Sequence, residues 1–339
     1  MNSPSLSNAG AYALVCRQYG NPPDIQPQPL DRHAPLKPDE VLIDVHCAAF
    51  NFTDHLLVQG RYQEKPTLPF VPGLDAAGIV REVGAEATGF RPGDRVISSG
   101  VVGAWSTQLA APAHRLVKVP ENVDLADAVA SINSHLTAYH ALLDRAALKP
   151  GEHVLVLGAN GAVGVACVQI ARHAGATVYT VARQGDNEFR LAQEGSGHTR
   201  VVSAQNLKQG LRELLGRRGA DVVVDPVGDH FTEAAVRNLA WRGRLLVVGF
   251  AAGDIPKIST NLLLLKGCSI LGVYCGGLLI QETASFTEQL AAMLQLMSAG
   301  VLTPSPHETL AGDDFAPVWS RFSSAPRGTK VLLGFAPSL

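Results

Sequence analysis

An apolar run that ends in spaced glycines, His153-Val-Leu-Val-Leu-Gly158-Ala-Asn-Gly161-Ala-Val-Gly164, constrains this chain more than any other segment. Five residues of strand character lead straight into a glycine turn, and Ala162–His173 continues at helical spacing. Strand, tight turn and helix in that order open a βαβ unit. Gly158 and Gly161 permit the turn and a close backbone approach to a pyrophosphate, and Gly164 lets the helix lie against the strand. The diphosphate would rest on the free N–H groups and positive end of that helix. The spacing is G-x-x-G-x-x-G rather than G-x-G-x-x-G, so the flanking strand and helix carry the reading against an ordinary βα turn. Gly158, Asn160, Gly161, Ala162, Val163 and Gly164 are the expected cofactor contacts.

The same alternation recurs downstream. Residues 177–181, 221–225, 244–250 and 268–274 have the signature of buried strands, with helical stretches between them. That pattern specifies an α/β unit with a doubly wound parallel sheet. The first 120 residues read differently. Short apolar runs at 41–45, 78–83 and 94–97 are divided by Pro and Gly turns, the pattern of a small barrel or sandwich. Residues 122–144 are Ala/Leu-rich and apolar at helical spacing. Beyond Cys275 come one amphipathic helix, about 285–298, and a short last strand at 330–333. So small a tail cannot fold alone and is expected to return to the N-terminal domain. A chain of 339 residues exceeds one compact core. The expected division is 1–125, 126–274 for the nucleotide domain, and 275–339 for the return segment.

Charge and cysteine use exclude several partners. A net charge of −2 with no basic run leaves no footprint for nucleic acid or an anionic membrane. The five cysteines are odd in number and form no C-x-x-C, so neither a disulfide framework nor a Cys-rich zinc lobe is indicated. The Ser/Asn-rich start lacks the features of a secretion signal. The longest nearly apolar stretch, 268–280, falls short of the ~20 residues of a spanning helix. These features together point to the cytoplasm.

Cofactor choice turns on the end of the second strand, Thr177-Val-Tyr-Thr-Val-Ala182-Arg183. An NAD-selective site holds a carboxylate there for the ribose hydroxyls. An uncharged Ala182 beside a guanidinium suits the 2′-phosphate of NADPH. Arg183 as a solvated loop residue is the alternative, and the missing acid favours NADPH without it.

Several ordered blocks make the chain resemble a known family. They include Ala48-Ala-Phe-Asn-Phe-Thr-Asp54, Gly60-Arg-Tyr-Gln, Leu68-Pro-Phe-Val-Pro-Gly73, Phe90-Arg-Pro-Gly-Asp-Arg-Val96, Leu136-Thr-Ala-Tyr-His-Ala-Leu142, Asp225-Pro-Val-Gly228, Gly243-Arg-Leu-Leu-Val-Val-Gly-Phe250 and Asn261-Leu-Leu-Leu-Leu-Lys266. From about Tyr12 to Leu333 the chain resembles the zinc-free quinone oxidoreductase (zeta-crystallin-like) branch of the medium-chain dehydrogenase/reductase superfamily. The resemblance implies a GroES-like β-rich catalytic domain split in sequence around a Rossmann domain. It implies that Asn51 and Asp54 lie close to nicotinamide and substrate. Asn51 would donate to the acceptor oxygen or the nicotinamide ribose, and Tyr62 would line the substrate mouth. A strand-end cap for Asn51, a helix cap for Asp54 and a surface tyrosine on Pro66 are the competing roles. Thr137, Val227, Phe250 and Ala251 are implied cofactor contacts. His140, on an apolar helix, reads as a core residue before a catalytic one. His46 and His55 carry no expected role.

Zinc-dependent members of the superfamily place Cys where this chain has Asn51, and His-Glu where it has Leu74-Asp75. Leucine cannot ligate a metal and an amide poorly replaces a thiolate, so no zinc is expected. Without a Lewis acid, the favoured acceptor is a quinone or α,β-unsaturated carbonyl, which spreads the incoming negative charge. The alternatives are an enoyl-thioester reductase and a non-catalytic, crystallin-like NADPH-binding protein. Two departures stand out. No tyrosine occurs in 197–205 to stack on adenine, and Ser324, with Arg327 nearby, stands at the family's C-terminal arginine. The apolar run 268–274 reads as an edge strand, which a second copy would cover in a homodimer.

Overall fold

The computed structural model describes residues 10–30, 35–62, 65–182, 198–201, 207–326 and 328–335; of 182 and 198–201 it describes the backbone. Two compact units emerge. One comprises Met1–Ile132, Leu278–Ser298 and Thr303–Leu339, and the other Asn133–Gly277 with Ala299–Leu302.

The first unit is built on a mostly antiparallel seven-stranded sheet. Its order is His307–Ala311, Lys330–Gly334, Glu40–Phe50, Asp75–Val83, Arg95–Ser99 and Leu116–Lys118, with Gln108–Pro112 also paired to Glu40–Phe50. A separate hairpin, Tyr12–Gln18 with Asp24–Pro29, completes the β structure. The expected short strands are longer than the apolar runs suggest, because Glu40–Phe50 pairs on both edges and its polar positions become ladder residues. The last strand carries the C-terminal return into the sheet, pairing Val331 with Phe50 and Leu333 with Ala48. Leu14, Val41, Ile43, Phe50, Trp105 and Leu333 form the heart of its core. Trp105 meets Phe50 edge-on at 5.0 Å and donates its indole N–H to the Ala49 carbonyl at 3.1 Å. Truncating a buried ring of this kind costs about 3–5 kcal/mol.

The second unit holds a six-stranded parallel sheet in the order His198–Val201, Thr177–Ala182, His153–Leu157, Ala220–Asp225, Leu239–Val247 and Ser269–Gly272. This is the doubly wound order, reversing at the glycine-turn strand. The helix Ala162–His173 spans the expected residues and buries Ala166, Cys167, Ile170 and Ala171. Expected strand 244–250 is displaced: the strand runs Leu239–Val247, and its pairing stops where both neighbours end, at Asp225 and Gly272. The edge strand is shorter than 268–274, because Cys275–Gln281 turns into a helix. The helical stretch after Leu125 is not regular. It widens into π turns at Ile132–Leu136 and His140–Arg145, with Thr137–Tyr139 between them. Such bulges often mark functional sites.

Candidate functional site

In the nucleotide unit the glycines do what their positions demand. Gly158 has φ +61°, and a Cβ there would lie 2.9 Å from Val227 Cγ2. A Cβ on Gly164 would lie 2.4 Å from the Gly158 carbonyl oxygen and 2.6 Å from Ala159 Cα, so only hydrogen lets this helix reach its turn. Gly161, the residue before the helix, closes the turn by donating to the Gly158 carbonyl at 2.9 Å, and no side chain caps the helix. The N–H groups of the first turn are therefore left for a ligand. Beside them, both amide atoms of Asn160 are buried without a hydrogen-bond partner. A buried, unpaired amide costs about 1–3 kcal/mol, and an anionic or polar ligand would recover it.

A second loop is braced against that turn. Asp225, buried at the end of its strand, accepts from the Val227 and Gly228 N–H groups at 2.9 and 2.8 Å and from the Thr232 hydroxyl. Ala251 N–H then bonds the Pro226 carbonyl, bringing Val227, Phe250 and Ala251 into one loop pair. Thr137 donates to the Asn133 carbonyl at 2.6 Å from between the two π turns. Ala182 ends its strand with no acid at that position, while Arg183 and Arg327 lie outside the described residues. His140 is buried, and its Nδ1 lies 2.8 Å from Asp144 one turn on, the environment of a core residue.

In the β-rich unit, four strand ends converge on Asn51. Its backbone N–H donates to Asp54 Oδ2 at 2.8 Å, so Asp54 caps the helix Phe52–Val58 from its first turn. The Asn51 amide donates through Nδ2 to Asp75 Oδ2 at 2.8 Å and accepts through Oδ1 from Lys330 Nζ at 3.2 Å. Asp75 also accepts from the Ser99 hydroxyl at 2.6 Å, a direct consequence of register, since Asp75 and Ser99 face each other across the antiparallel pair. Asn51 is 4% exposed and Asp54 wholly buried. Burial pushes the Asp54 carboxyl up to about 8, with the Asp75 charge adding and the Asn51 N–H and Lys330 opposing. Burial also raises Asp75 and lowers Lys330. Two carboxyls and one ammonium are neutral together when the pair shares one proton, which is the state low-dielectric surroundings favour.

Sequence reasoning sets Asn51 and Asp54 beside each other but assigns nothing to Asp75, Ser99 or Lys330. A carboxylate within the otherwise apolar Gly73–Gly78 run and a lysine opening an apolar strand are the signals that could have found them. Tyr62 is partly buried in the loop after the helix. The hydroxyl that meets the Pro66 carbonyl belongs to Tyr19. His55 stacks on Trp319 at 4.8 Å within an aromatic cluster.

The donor set around Asn51 does not fit a zinc ion. Leu74 is apolar, both ends of the Asn51 amide are engaged, Asp75 is bonded through both oxygens, and an ammonium lies among them. The described residues contain no cluster of three or more His, Cys, Asp or Glu side chains suited to a metal.

A model of the alcohol dehydrogenase GroES-like domain matches residues 37–121, and one of the zinc-binding dehydrogenase family matches 162–298. The second match begins at the glycine-turn helix and excludes Asn51. The chain is 37% identical to quinone oxidoreductase-like protein 2 of Rattus norvegicus, over 86% of this chain and 83% of that protein. It is 33% identical to the quinone oxidoreductase of Homo sapiens, over 79% and 80%. A solved mycobacterial quinone oxidoreductase superimposes with a TM-score of 0.84 at 25% identity, covering 96% of this chain and 99% of that one. A two-unit fold of GroES-like and Rossmann type, the glycine turn and these matches lead to one conclusion: the chain belongs to the quinone oxidoreductase-like family of the medium-chain dehydrogenase/reductases.

Proposed function

We propose that this protein is a zinc-independent, NADPH-dependent reductase whose acceptor is a quinone or an α,β-unsaturated carbonyl. The observation that carries the reading is the Asn51 amide held between Asp75 and Lys330 where a metal centre would need open ligands. NADPH, when bound, supplies the hydride. In the nucleotide unit, Gly158, Asn160, Gly161 and the first-turn amides of Ala162, Val163 and Gly164 would hold its diphosphate. Ala182 and Arg183 would favour the 2′-phosphate, and Thr137, Val227, Phe250 and Ala251 would border the rest of the cofactor.

The chain's own contribution to the chemistry is electrostatic. Reduction of a conjugated acceptor leaves negative charge on an oxygen, shared with the rest of the π system. The amide nitrogen of Asn51 carries two hydrogens, and Asp75 engages one. The other is left to donate to that oxygen. Asp54 acts through the Asn51 backbone, since a wholly buried carboxyl cannot touch a substrate. Tyr62, in the loop after that helix, is the phenol suited to lining the acceptor's path. In domain terms, segments 1–125 and 275–339 would form the catalytic domain around a nucleotide domain at 126–274.

The edge strand Ser269–Gly272, with exposed Leu264 and Leu265 on the helix that precedes it and exposed Trp241 in the strand it pairs with, supports a homodimer formed through 268–274. Five unpaired cysteines support a cytoplasmic setting, and no helix among the described residues is long and apolar enough to cross a membrane. A panel of quinones, enones and enoyl thioesters, with NADPH consumption followed by its absorbance, tests the reading. Turnover with quinones or enones is the expected result. Turnover confined to enoyl thioesters, or none at all, overturns it.

A further inference from the structure

We propose that Lys330 is a positioning residue, whose ammonium sets the orientation of the Asn51 amide and supplies the positive charge that a metal ion would bring to this cluster. This deepens the reductase reading and rests on it. Three observations carry it. The first is geometric. Lys330 opens the last strand, and the next residue, Val331, pairs with Phe50, so strand register sets Lys330 beside Asn51, 279 residues away in sequence.

The second is chemical. A primary amide has an acceptor end and a donor end, and its two orientations differ by a half-turn. Here the oxygen faces an ammonium, which can only donate, and the nitrogen faces a carboxylate, which as an anion can only accept. Turning the amide over would break both bonds and set like against like. With Lys330 replaced by an apolar side chain, the oxygen loses its one charged partner and keeps only the Asp54 backbone N–H of the capping box, so the orientation is held less firmly.

The third is electrostatic. Among the described residues, Lys330 is the one cation acting on both Asp54 and Asp75. Breaking a buried ionic cluster by removing one sign leaves uncompensated charge. The return segment of the chain thus delivers a cation to a site whose other members all come from residues 51–99.

The test compares the wild type with Lys330→Met and Lys330→Arg. Each protein is examined for NADPH affinity by nucleotide fluorescence, for kcat and KM with a quinone, and for hydrogen exchange of the Asn51 side-chain amide by NMR. Lys330→Met is expected to lower kcat about ten- to a hundredfold, the effect of a misaimed donor, with NADPH affinity unchanged. Its Asn51 amide protons should exchange at least about tenfold faster than in the wild type. Lys330→Arg keeps the charge and the donors, and is expected to recover most of both losses. Wild-type exchange and kcat in Lys330→Met would overturn the proposal. So would a Lys330→Arg protein that folds yet behaves like Lys330→Met. Should Lys330→Met not fold, Lys330→Arg against Lys330→Gln decides on the same readouts. If the wild type reduces no acceptor, the reductase reading fails, and the exchange measurement still decides the role of Lys330.

Discussion

Replacing Asp54 with Asn gives the cleanest view of the buried cluster. The carboxyl is wholly buried, and Asn is nearly isosteric, so its oxygen can keep the bond from the Asn51 N–H. What changes is the ability to ionise. Asp54 moves from an ordinary 3.8 to about 8 on folding, with burial the main cause. The folded state therefore holds a proton that the unfolded chain releases. Stability from this group is fully present below pH 4, drains away as pH rises, and is gone above about pH 8. About four pH units at 1.36 kcal/mol each set an upper limit of roughly 6 kcal/mol, and relaxation around the charge will reduce it. Asp54→Asn lacks this penalty, so relative to wild type it should gain stability steadily from pH 5 to about pH 8 and level off above it. Urea unfolding followed by tryptophan fluorescence in a Trp241→Phe background reports on this unit, because Trp105 and Trp319 both lie within it. A midpoint difference that stays constant from pH 5 to pH 9 would show that Asp54 is ionised throughout, and the account of the cluster would be wrong.

Other consequences are simpler to read. Asn160→Ala removes a buried amide that has no partner, so the protein without nucleotide should be as stable as wild type or up to about 2 kcal/mol more so, while NADPH affinity falls about tenfold. Calorimetric titration with NADPH and thermal unfolding without it check the two halves; unchanged affinity would remove Asn160 from the cofactor site. Light scattering should give the mass of a dimer for wild type, and a Leu264→Glu/Leu265→Glu protein should shift toward monomer, since both side chains are exposed apolar surface on the helix that leads into the edge strand. A monomeric wild type at micromolar concentration would refute the pairing.

What could be read from the sequence follows from range. The glycine turn, its strand and its helix are local, and His153–Leu157 and Ala162–His173 emerge at the expected residues. The nucleotide loops around Val227 and Phe250 also sit near their strand ends in sequence. The Asn51 cluster is different, because its members meet only through pairing of four strands. Asn51 and Asp54 share a helix start and so could be paired by eye. Asp75 and Ser99 depend on register, and Lys330 depends on the last strand finding Glu40–Phe50. A lysine in a short strand ordinarily signals a solvated edge, and no local pattern distinguishes it from one whose ammonium is turned inward. The shift of strand 244–250 to Leu239–Val247 has a similar cause. Val248 and Gly249 are apolar enough for a strand, but the strands on either side end at Asp225 and Gly272, so the ladder runs out before them.

The central claim is that this chain moves electrons from a nicotinamide to a conjugated acceptor with an ammonium, rather than a metal, beside its amide donor. Its most direct test is anaerobic NADPH consumption with a quinone by protein dialysed against a strong chelator, with the metal content of the same sample measured. Full activity in a sample holding far less than one metal ion per chain is the predicted result. Activity that disappears with chelation and returns with zinc would contradict the account.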